Sequence, residues 1–594
     1  MDLTATPAPG GRHRLGAAVV AAAACLTLAA PAAAATGTQH GAHVSQRTFV
    51  LRVGEGSMGP VLRRVRDLGG VVERRLGGIG AAVVRLPADA AAGLRGTDGV
   101  LAVTEDAPVA LQALTPAYDP TLDGSSMLSI AKATRATRAW SGWSTGSSVT
   151  GEGIDVALID SGVTPVTGLA GAGKIVNGPD LSFESQDPNT RYLDTFGHGT
   201  FMAGVIAGHD PYTGNPADNP QAYNGIAPNS RIISLKVADA HGNTDVSQVI
   251  SAIDWVVEHR RDPGMNIRVL NLSFGTPSLQ GYRYDPLAYA AETAWRKGIV
   301  VVVSAGNDGT GTGKLLNPAQ DPYVIAVGAD DTKGTTTVLD DEIPAFSTRG
   351  DGVRNPDLAA PGVSVQGLRV PGSYVDQTYG STAAFGDRFF RGSGTSQAAA
   401  VVSGAAALLL QDRPYLSPDQ VKALLRGSAR DLSGADQQAQ GAGLVNVDGA
   451  VRSYTQNARQ YFTTATGTGT LDGARGGVRL SRDGVVLQGE QDIMGQPFVA
   501  ATHALQQANE TSWVGGTWNG SSWAGSSWAG SSWAGSSWAG SSWAGSSWAG
   551  SSWASGVWDG SSWAGSSWAG SSWAGSSWAG SSWAGSSWAD GSWS

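Results

Sequence analysis

Four polar residues stand where an apolar run has just ended or is about to begin. Asp160 follows "IDVALI" and Asn307 follows "IVVVVSAG". His198 opens "HGTFMAGVIAG", and Ser396 opens "SQAAAVVSGAAALLL". An imidazole titrates near neutral pH, so His198 is suited to take a proton from a hydroxyl. A buried carboxylate such as Asp160 would hold the ring's tautomer and support the imidazolium. Ser396 would be the nucleophile. The backbone N–H of Ser396 and the side-chain amide of Asn307 would meet the negative charge of a tetrahedral intermediate. The positive end of a helix starting at Ser396 points the same way. Together these are the parts of an acyl-transfer site. Each part alone has a plainer reading: a turn cap at Asp160, a satisfied core histidine at His198, a turn amide at Asn307, a capped core helix at Ser396. The chain order Asp, His, Ser lifts them above it, because it matches one of the established orders of this triad.

Such groups need a scaffold that brings them together. Between Trp140 and Asp448 strands and helices alternate. "IDVALI" (154–159), "RIISLKV" (231–237), "IRVLNL" (267–272), "IVVVV" (299–303) and "YVIAVG" (323–328) are continuously apolar, as in a parallel sheet covered on both faces. "DPLAYAAETAWRKG" has Asp285 as N-cap, Pro286 at the first helical position and Gly298 past the end. "SPDQVKALLRG" has Ser417 as cap, Gln420 closing a capping box and Gly427 as a stop. In "DVSQVISAIDWVVEH", Val246, Val249, Ile250, Ile253 and Val257 form one stripe. The fold expected is α/β, a doubly wound, mostly parallel sheet, with function beyond the C-terminal strand ends. Before it, residues 48–108 read as strand, helix, strand, helix, strand, a small α+β module, with Gly69 and Gly70 stopping its first helix.

Residues 140–450 resemble the subtilases, the subtilisin-like serine endopeptidases. The likeness rests on "VALIDSGV", "GHGTFMAG", "GIAPNSRIISLKV", "NLSFG", "VVVSAGNDG", "FSTRG", "PDLAAPG", "GTSQAAAVVSG" and "GAGLVNVDGAV", in that order. It implies the triad roles for Asp160, His198 and Ser396 and the oxyanion role for Asn307. It implies that Ser273, Phe274 and Gly275 form one wall of a substrate pocket and pair with an extended peptide. Ala305 and Gly306 resemble the opposite wall. Leu316 stands in "LNPA" where many relatives carry the glycine of "GYP", so it is expected to narrow the pocket. The chain departs from the family at Gln397, Ala400, Val401 and Phe201, all on the two helices that carry Ser396 and His198. Calcium is common in the family, so the resemblance admits structural calcium. No ligand cluster stands out in the sequence, and no metal residue is assigned. Residues 48–108 resemble the subtilisin propeptide, which implies that the chain's own propeptide acts as a temporary inhibitor.

The ends of the chain add compartment and partners. Arg12 and Arg14 precede the apolar run Leu15 to Ala30 and the small residues "APAAAATG", which reads as a secretion signal. The single cysteine, Cys25, lies in that leader. Residues 1–110 carry 11 Lys/Arg against 8 Asp/Glu within a chain of net charge −9, and nothing favours nucleic acid. From Trp513 to Trp593 a tryptophan recurs every fifth residue, 17 in all, among Gly and Ser. That composition predicts a disordered tail in isolation, while five residues per side of a coil would line the rings up as a solenoid. The tail resembles the Trp-rich C-terminal ends of some actinobacterial subtilases. Its rings could stack on sugars of a cell-wall polymer. The expected divisions are a signal peptide at 1–35, a propeptide and maturation linker at 36–127, with self-cleavage within 109–127, and a catalytic domain at 128–455. A linker with a candidate β-hairpin follows at 456–510, then the repeat tail at 511–594. The reading is a secreted serine endopeptidase made as a self-processing zymogen and acting on polypeptides through an acyl-enzyme. The alternative is a cell-envelope or polysaccharide-binding protein on an inactive scaffold of the same fold.

Overall fold

The computed structural model describes residues 46–522, apart from 55, 77–79, 106–117, 144, 311–312, 483–484 and 515. The leader, residues 109–117 of the expected self-cleavage stretch and the tail from 523 onward lie outside the described residues. The chain divides into two compact units, Met1–Pro116 and Ala117–Ser594.

The first unit contains β1 (Gln46–Val53), α1 (Met58–Asp67), β2 (Val71–Leu76), β3 (Ala81–Pro87), α2 (Ala88–Leu94) and β4 (Val100–Glu105). Its sheet is antiparallel in the order β2-β3-β1-β4. Phe49, Leu51, Val61, Leu62, Val65, Val84, Leu86 and Leu94 form its core. Gly69 takes a φ of 77° just after α1, as a stop should. The five-element order expected from the sequence omits β2. "VVERRL" carries three charges and lies largely exposed on the sheet's edge, where charge protects an open strand and hides the usual alternation.

The second unit begins with α3 (Met127–Ala133) and α4 (Ala136–Trp140). It continues through β5 (Asp155–Asp160), β6 (Ile175–Asp180), α5 (His198–Ala207), β7 (Arg231–Lys236), α6 (Val246–His259), β8 (Ile267–Leu272), α7 (Pro286–Arg296), β9 (Val300–Ser304), β10 (Ile325–Asp330) and β11 (Leu358–Pro361). These strands make a seven-stranded sheet in the order β11-β10-β9-β8-β5-β7-β6, parallel at every pairing. β5 is buried along its whole length, as its unbroken apolar run requires. A smaller sheet of β12 (Val365–Leu368), β13 (Ala384–Phe385) and β14 (Phe389–Gly392) follows, with α8 (Tyr374–Ala383) between its first two strands. Then come α9 (Thr395–Asp412), α10 (Pro418–Ser428), α11 (Gln437–Gln440), α12 (Val447–Arg452) and α13 (Leu471–Arg475). A hairpin of β15 (Ser481–Arg482) and β16 (Val485–Val486), α14 (Ala500–Asn509), and a meander of β17 (Trp513–Val514), β18 (Thr517–Trp518) and β19 (Ser521–Ser522) complete the unit.

Local signals act as the sequence indicates at several ends. Asp285 accepts from the N–H groups of Leu287 and Ala288, and Ser417 and Gln420 form a capping box. Asp245 and Gln248 form another at α6. Gly427 is not a stop, because α10 runs on to Ser428 and turns out at Ala429. α9 is buried on nearly every face because its residues are small enough to pass through the core.

Three boundaries differ from the sequence reading. The repeat tail, expected from 511, already packs on the second unit over its described residues up to 522: Trp518 is fully buried in the main core and Trp513 donates to the Ser251 carbonyl at 2.9 Å. Residues 118–127, expected within the maturation linker, already pack on this unit. Tyr118 donates to Asp123 at 2.6 Å, its ring lies 5.1 Å from that of Phe385, and Asp123 pairs with Arg391. The segment 456–510 is not a linker. Leu471, Leu487, Ile493 and Phe498 enter the main core. Arg475, fully buried, binds Asp245 at 2.7 and 3.2 Å. Asp254 accepts from His503, Gln507 and Trp518 at 2.8, 2.7 and 2.8 Å. Arginine and histidine at these places read as solvent-facing until partners some 230 and 249 residues away are known.

Candidate active site

The chain runs from β5 to one side of the sheet, through β7 and β6, and to the other through β8, β9, β10 and β11. The C-terminal end of β5 therefore lies where strand order reverses, the usual place for a site in such folds. Asp160 is its last residue. The Ser161 N–H donates to Asp160 Oδ1 at 2.8 Å. His198 is the first residue of α5, after Gly197 with a φ of 106°. Its Nδ1 lies 2.8 and 2.9 Å from the two Asp160 oxygens. A carboxylate only accepts, so Nδ1 carries the hydrogen and Nε2 is left to accept one. The helix comes this close because Gly199 has no side chain: a Cβ there would stand 2.1 Å from the Gly162 carbonyl. Burial alone would lower the basicity of His198. The charge and hydrogen bond of Asp160, with the charge of Asp194, outweigh it and raise the imidazole above its ordinary range.

Ser396 is the second residue of α9. Asn307 lies beyond the end of β9. Its Oδ1 accepts from the backbone N–H of Thr395 at 2.9 Å and from the Thr395 hydroxyl at 3.0 Å. The carbonyl end of the amide is thereby occupied, and the amide's N–H bonds are turned outward at the N-terminus of α9. Gly306 N–H donates to the Thr395 hydroxyl at 3.2 Å and ties the two segments together. Ser273, just after β8, directs its hydroxyl toward the Ser396 carbonyl at 3.5 Å. Because β8 and β5 are paired neighbours, Ser273 and Asp160 stand at the same edge of the sheet. No hydrogen bond joins His198 Nε2 to Ser396 Oγ among the described residues, and such contacts commonly tighten only around substrate.

Leu316 packs between the two expected walls. A Cβ on Gly275 would lie 2.8 Å from Leu316 Cβ, and one on Gly306 would lie 2.9 Å from Leu316 Cγ. The Leu316 N–H donates to the Ala305 carbonyl at 3.2 Å, and Thr276 and Asn317 exchange backbone hydrogen bonds of 2.9 Å. The side chain is half-buried and occupies the gap between Ser273–Gly275 and Ala305–Gly306.

A model of the subtilase family matches residues 151–443. Serine protease AprX of Bacillus subtilis (strain 168) is 36% identical over 312 residues, 52% of this chain and 68% of that protein. Subtilisin Savinase of Lederbergia lenta is 32% identical over 306 residues, 51% of this chain and 93% of that protein. The chain belongs to the subtilase family. It is a subtilisin-like serine endopeptidase. Among solved structures, fervidolysin from Fervidobacterium pennivorans, a keratinolytic enzyme related to subtilisin, aligns with a TM-score of 0.44 at 23% identity, over 71% of this chain and 63% of that one.

Within this subtilase the departures at the two helices are matched by their surroundings. Phe201 is 5% exposed and lies over Gly367 and Gly392, where any Cβ would strike its ring. Gln397 is buried beside Gly392 and Gly394, next to Ser396. Among the described residues no group of three or more His, Cys, Asp or Glu is placed to hold a metal ion. One oxygen-rich cage is filled from within: buried Lys422 Nζ reaches the carbonyls of Pro322, Tyr323 and Val324 at 2.7, 3.3 and 2.8 Å and Asp357 at 3.1 Å.

Residue-by-residue reading of the sequence missed three contributors to this subtilase site. Thr395 orients Asn307. Asp194 and Ser161 form a second polar layer behind Asp160, and a carboxylate four residues before the histidine was the available signal. The loop carrying Asp194 is held by Lys236, whose Nζ binds Glu184 at 2.5 Å and the carbonyls of Thr190 and Leu193 at 3.0 and 2.6 Å. A cavity of about 320 Å³ opens beside this loop, lined by Leu193, Asp194, His241, Val370, Tyr374 and Gln377. Among the described residues no helix is long and apolar enough to cross a membrane.

Proposed function

We propose that the endopeptidase acts through Asp160, His198 and Ser396 with an acyl-enzyme intermediate, and that it is exported as a self-processing zymogen. The observation that carries this reading is the pairing of His198 Nδ1 with both oxygens of Asp160 at 2.8 and 2.9 Å. That pairing leaves Nε2 unprotonated and able to take the Ser396 proton as Oγ attacks a peptide carbonyl. The oxyanion then meets the Ser396 N–H and the Asn307 side-chain N–H, the latter freed by Thr395's hold on Oδ1. His198 passes its proton to the leaving amine, which departs and leaves the acyl-enzyme. A water attacks the ester by the same relay and restores Ser396. Ser273–Gly275 and Ala305–Gly306 flank the substrate, and Leu316 between them favours small to medium apolar side chains before the cut.

Export rests on the leader, and temporary inhibition on the small unit ahead of the catalytic one. Self-cleavage within 109–127 would release the small unit, and the packing of residues 118–127 on the catalytic unit favours a cut in the part before them. The Trp repeat would hold the enzyme on a polymer such as cell wall. The intact pairing of Asp160 with His198 favours this reading over a binding protein on an inactive scaffold.

Ser396→Ala should lower peptide hydrolysis by about 10⁶-fold, the scale known for this nucleophile in subtilisin. Asn307→Ala should still be labelled by serine-directed phosphonates but turn over about 10²–10³-fold more slowly, as that donor's loss does in subtilisin. Unchanged hydrolysis by Ser396→Ala, measured with a chromogenic peptide, would refute the triad.

A further inference from the structure

His198 stands at an awkward place for a base that must become a cation. It is the first residue of α5, and a helix N-terminus carries about half a positive charge on its unpaired N–H groups. A protonated imidazole there is disfavoured unless something cancels that end.

Asp194 meets this need. It is 1% exposed. Its Oδ1 accepts from the Gly197 N–H at 2.6 Å and its Oδ2 from the Thr200 N–H at 2.7 Å, two of the groups that α5 leaves unpaired. The Ser161 hydroxyl donates to Oδ1 at 2.7 Å. Burial pushes this carboxyl above its usual range, and three donors, two of them fixed backbone groups, pull against that and stabilise its ionised form. Ser161 links it to the catalytic pair. Its Oγ accepts from the Gly199 N–H at 2.9 Å and lies 3.2 Å from Asp160 Oδ1, while its backbone N–H donates to that same oxygen at 2.8 Å. The hydroxyl has one proton, and the shorter contact assigns it to Asp194.

We propose that Asp194 is the second anion of this active site, a positioning residue that neutralises the positive end of α5 and fixes the Gly197–Thr200 turn so that His198 can hold a proton during turnover. The proposal rests on the triad reading above. The Asp194 charge acts on His198 in the same sense as that of Asp160, against the effect of burial. Asp160 from β5 binds the ring and Asp194 from the loop before α5 acts on it through its charge; Glu184, His241 and Tyr374 line the cavity that Asp194 borders. Behind the loop, Lys236 is paired with Glu184.

The test is the pH dependence of kcat/KM on a short soluble peptide in Asp194→Asn and Asp194→Ser. Both keep an oxygen near the α5 N-terminus, and serine is itself a good helix cap. Loss of the charge should move the acid limb down by about half to one pH unit and lower the plateau by about 3–10-fold. A purely structural residue would change the plateau or the melting temperature and leave the limb in place. A folded variant whose acid limb coincides with that of the unsubstituted enzyme overturns the proposal. If neither variant folds, the ring of His198 is titrated by NMR in the Ser396→Ala protein. A midpoint at or below the ordinary imidazole value of about 6.5 overturns the proposal as well, and one above it supports it. Hydrolysis by Ser396→Ala would count against the triad itself and would be seen separately in the same assay.

Discussion

Asp160 and Asp330 occupy the same kind of place, the last residue of a parallel strand in one sheet, and have opposite surroundings. Asp160 receives the Ser161 N–H and the His198 ring, with Asp194 and Ser161 behind it. Asp330 is 0% exposed, and neither of its carboxyl oxygens meets a donor. It faces Asp341, brought alongside by the bridge between Asp331 and Glu342, and neither oxygen of Asp341 meets a donor. Burial first, then the charges of Asp341 and Asp331, push Asp330 up to about 8 against the pull of Arg430. Burial and the charge of Asp340 push Asp341 up to about 6. A neutral Asp330 is the state in which the pair supplies its own hydrogen-bond donor. The strand end sets neither outcome. The donors that arrive from other segments decide whether a buried carboxyl works as an anion or keeps a proton.

Exchanging the two acids for asparagine is the sharpest way to break this contrast. Asp160→Asn should fold and lose about 10⁴-fold in kcat, because the wrong tautomer of His198 is then held. Asp330→Asn should keep kcat within about twofold, since its amide can donate to Asp341 where the shared proton did. Steady-state kinetics beside a melting curve checks both, and equal losses in the two variants would erase the distinction.

The next effect is on stability. The folded value of Asp330, about 8, lies above its unfolded value of 3.8, so the folded protein binds the extra proton between them. Its stabilising contribution is complete below pH about 4 and is lost progressively as pH rises to about 8. Asp330→Asn removes that dependence. The melting temperature of the variant relative to the unsubstituted protein should therefore rise steadily from pH 4 to 8 and then level off. A difference that stays flat across that range would show that Asp330 is ionised throughout.

The smallest effect expected is at the link behind Asp160. Ser161→Ala deletes one neutral hydroxyl between two carboxylates, which should lower kcat about fivefold, the worth of about 1 kcal/mol. A loss as large as that of Asp160→Asn would mean that Ser161 does more than bridge.

Short-range chemistry was legible in the chain. The unbroken apolar runs specified a covered parallel sheet, and caps at Asp285 and Ser417 set where α7 and α10 begin. The order of Asp160, His198, Asn307 and Ser396 pointed to acyl transfer, because each must follow or precede a buried element to reach a strand end. These features depend on residues a few positions apart, so periodicity and turn chemistry reveal them. Tertiary structure alone decided the rest. Edge strand β2 is hidden by its charges, and residues 456–510 look polar until Arg475 meets Asp245 and His503 meets Asp254. Leu316 is brought between Gly275 and Gly306 only by the fold. Asp194 and Asp330 are both buried aspartates; the spacing of Asp194 to His198 hints at its role, but nothing next to Asp330 in sequence shows that Asp341 would face it without a donor. Desolvation acts on a carboxyl through every atom around it, and most of those atoms belong to residues far away along the chain.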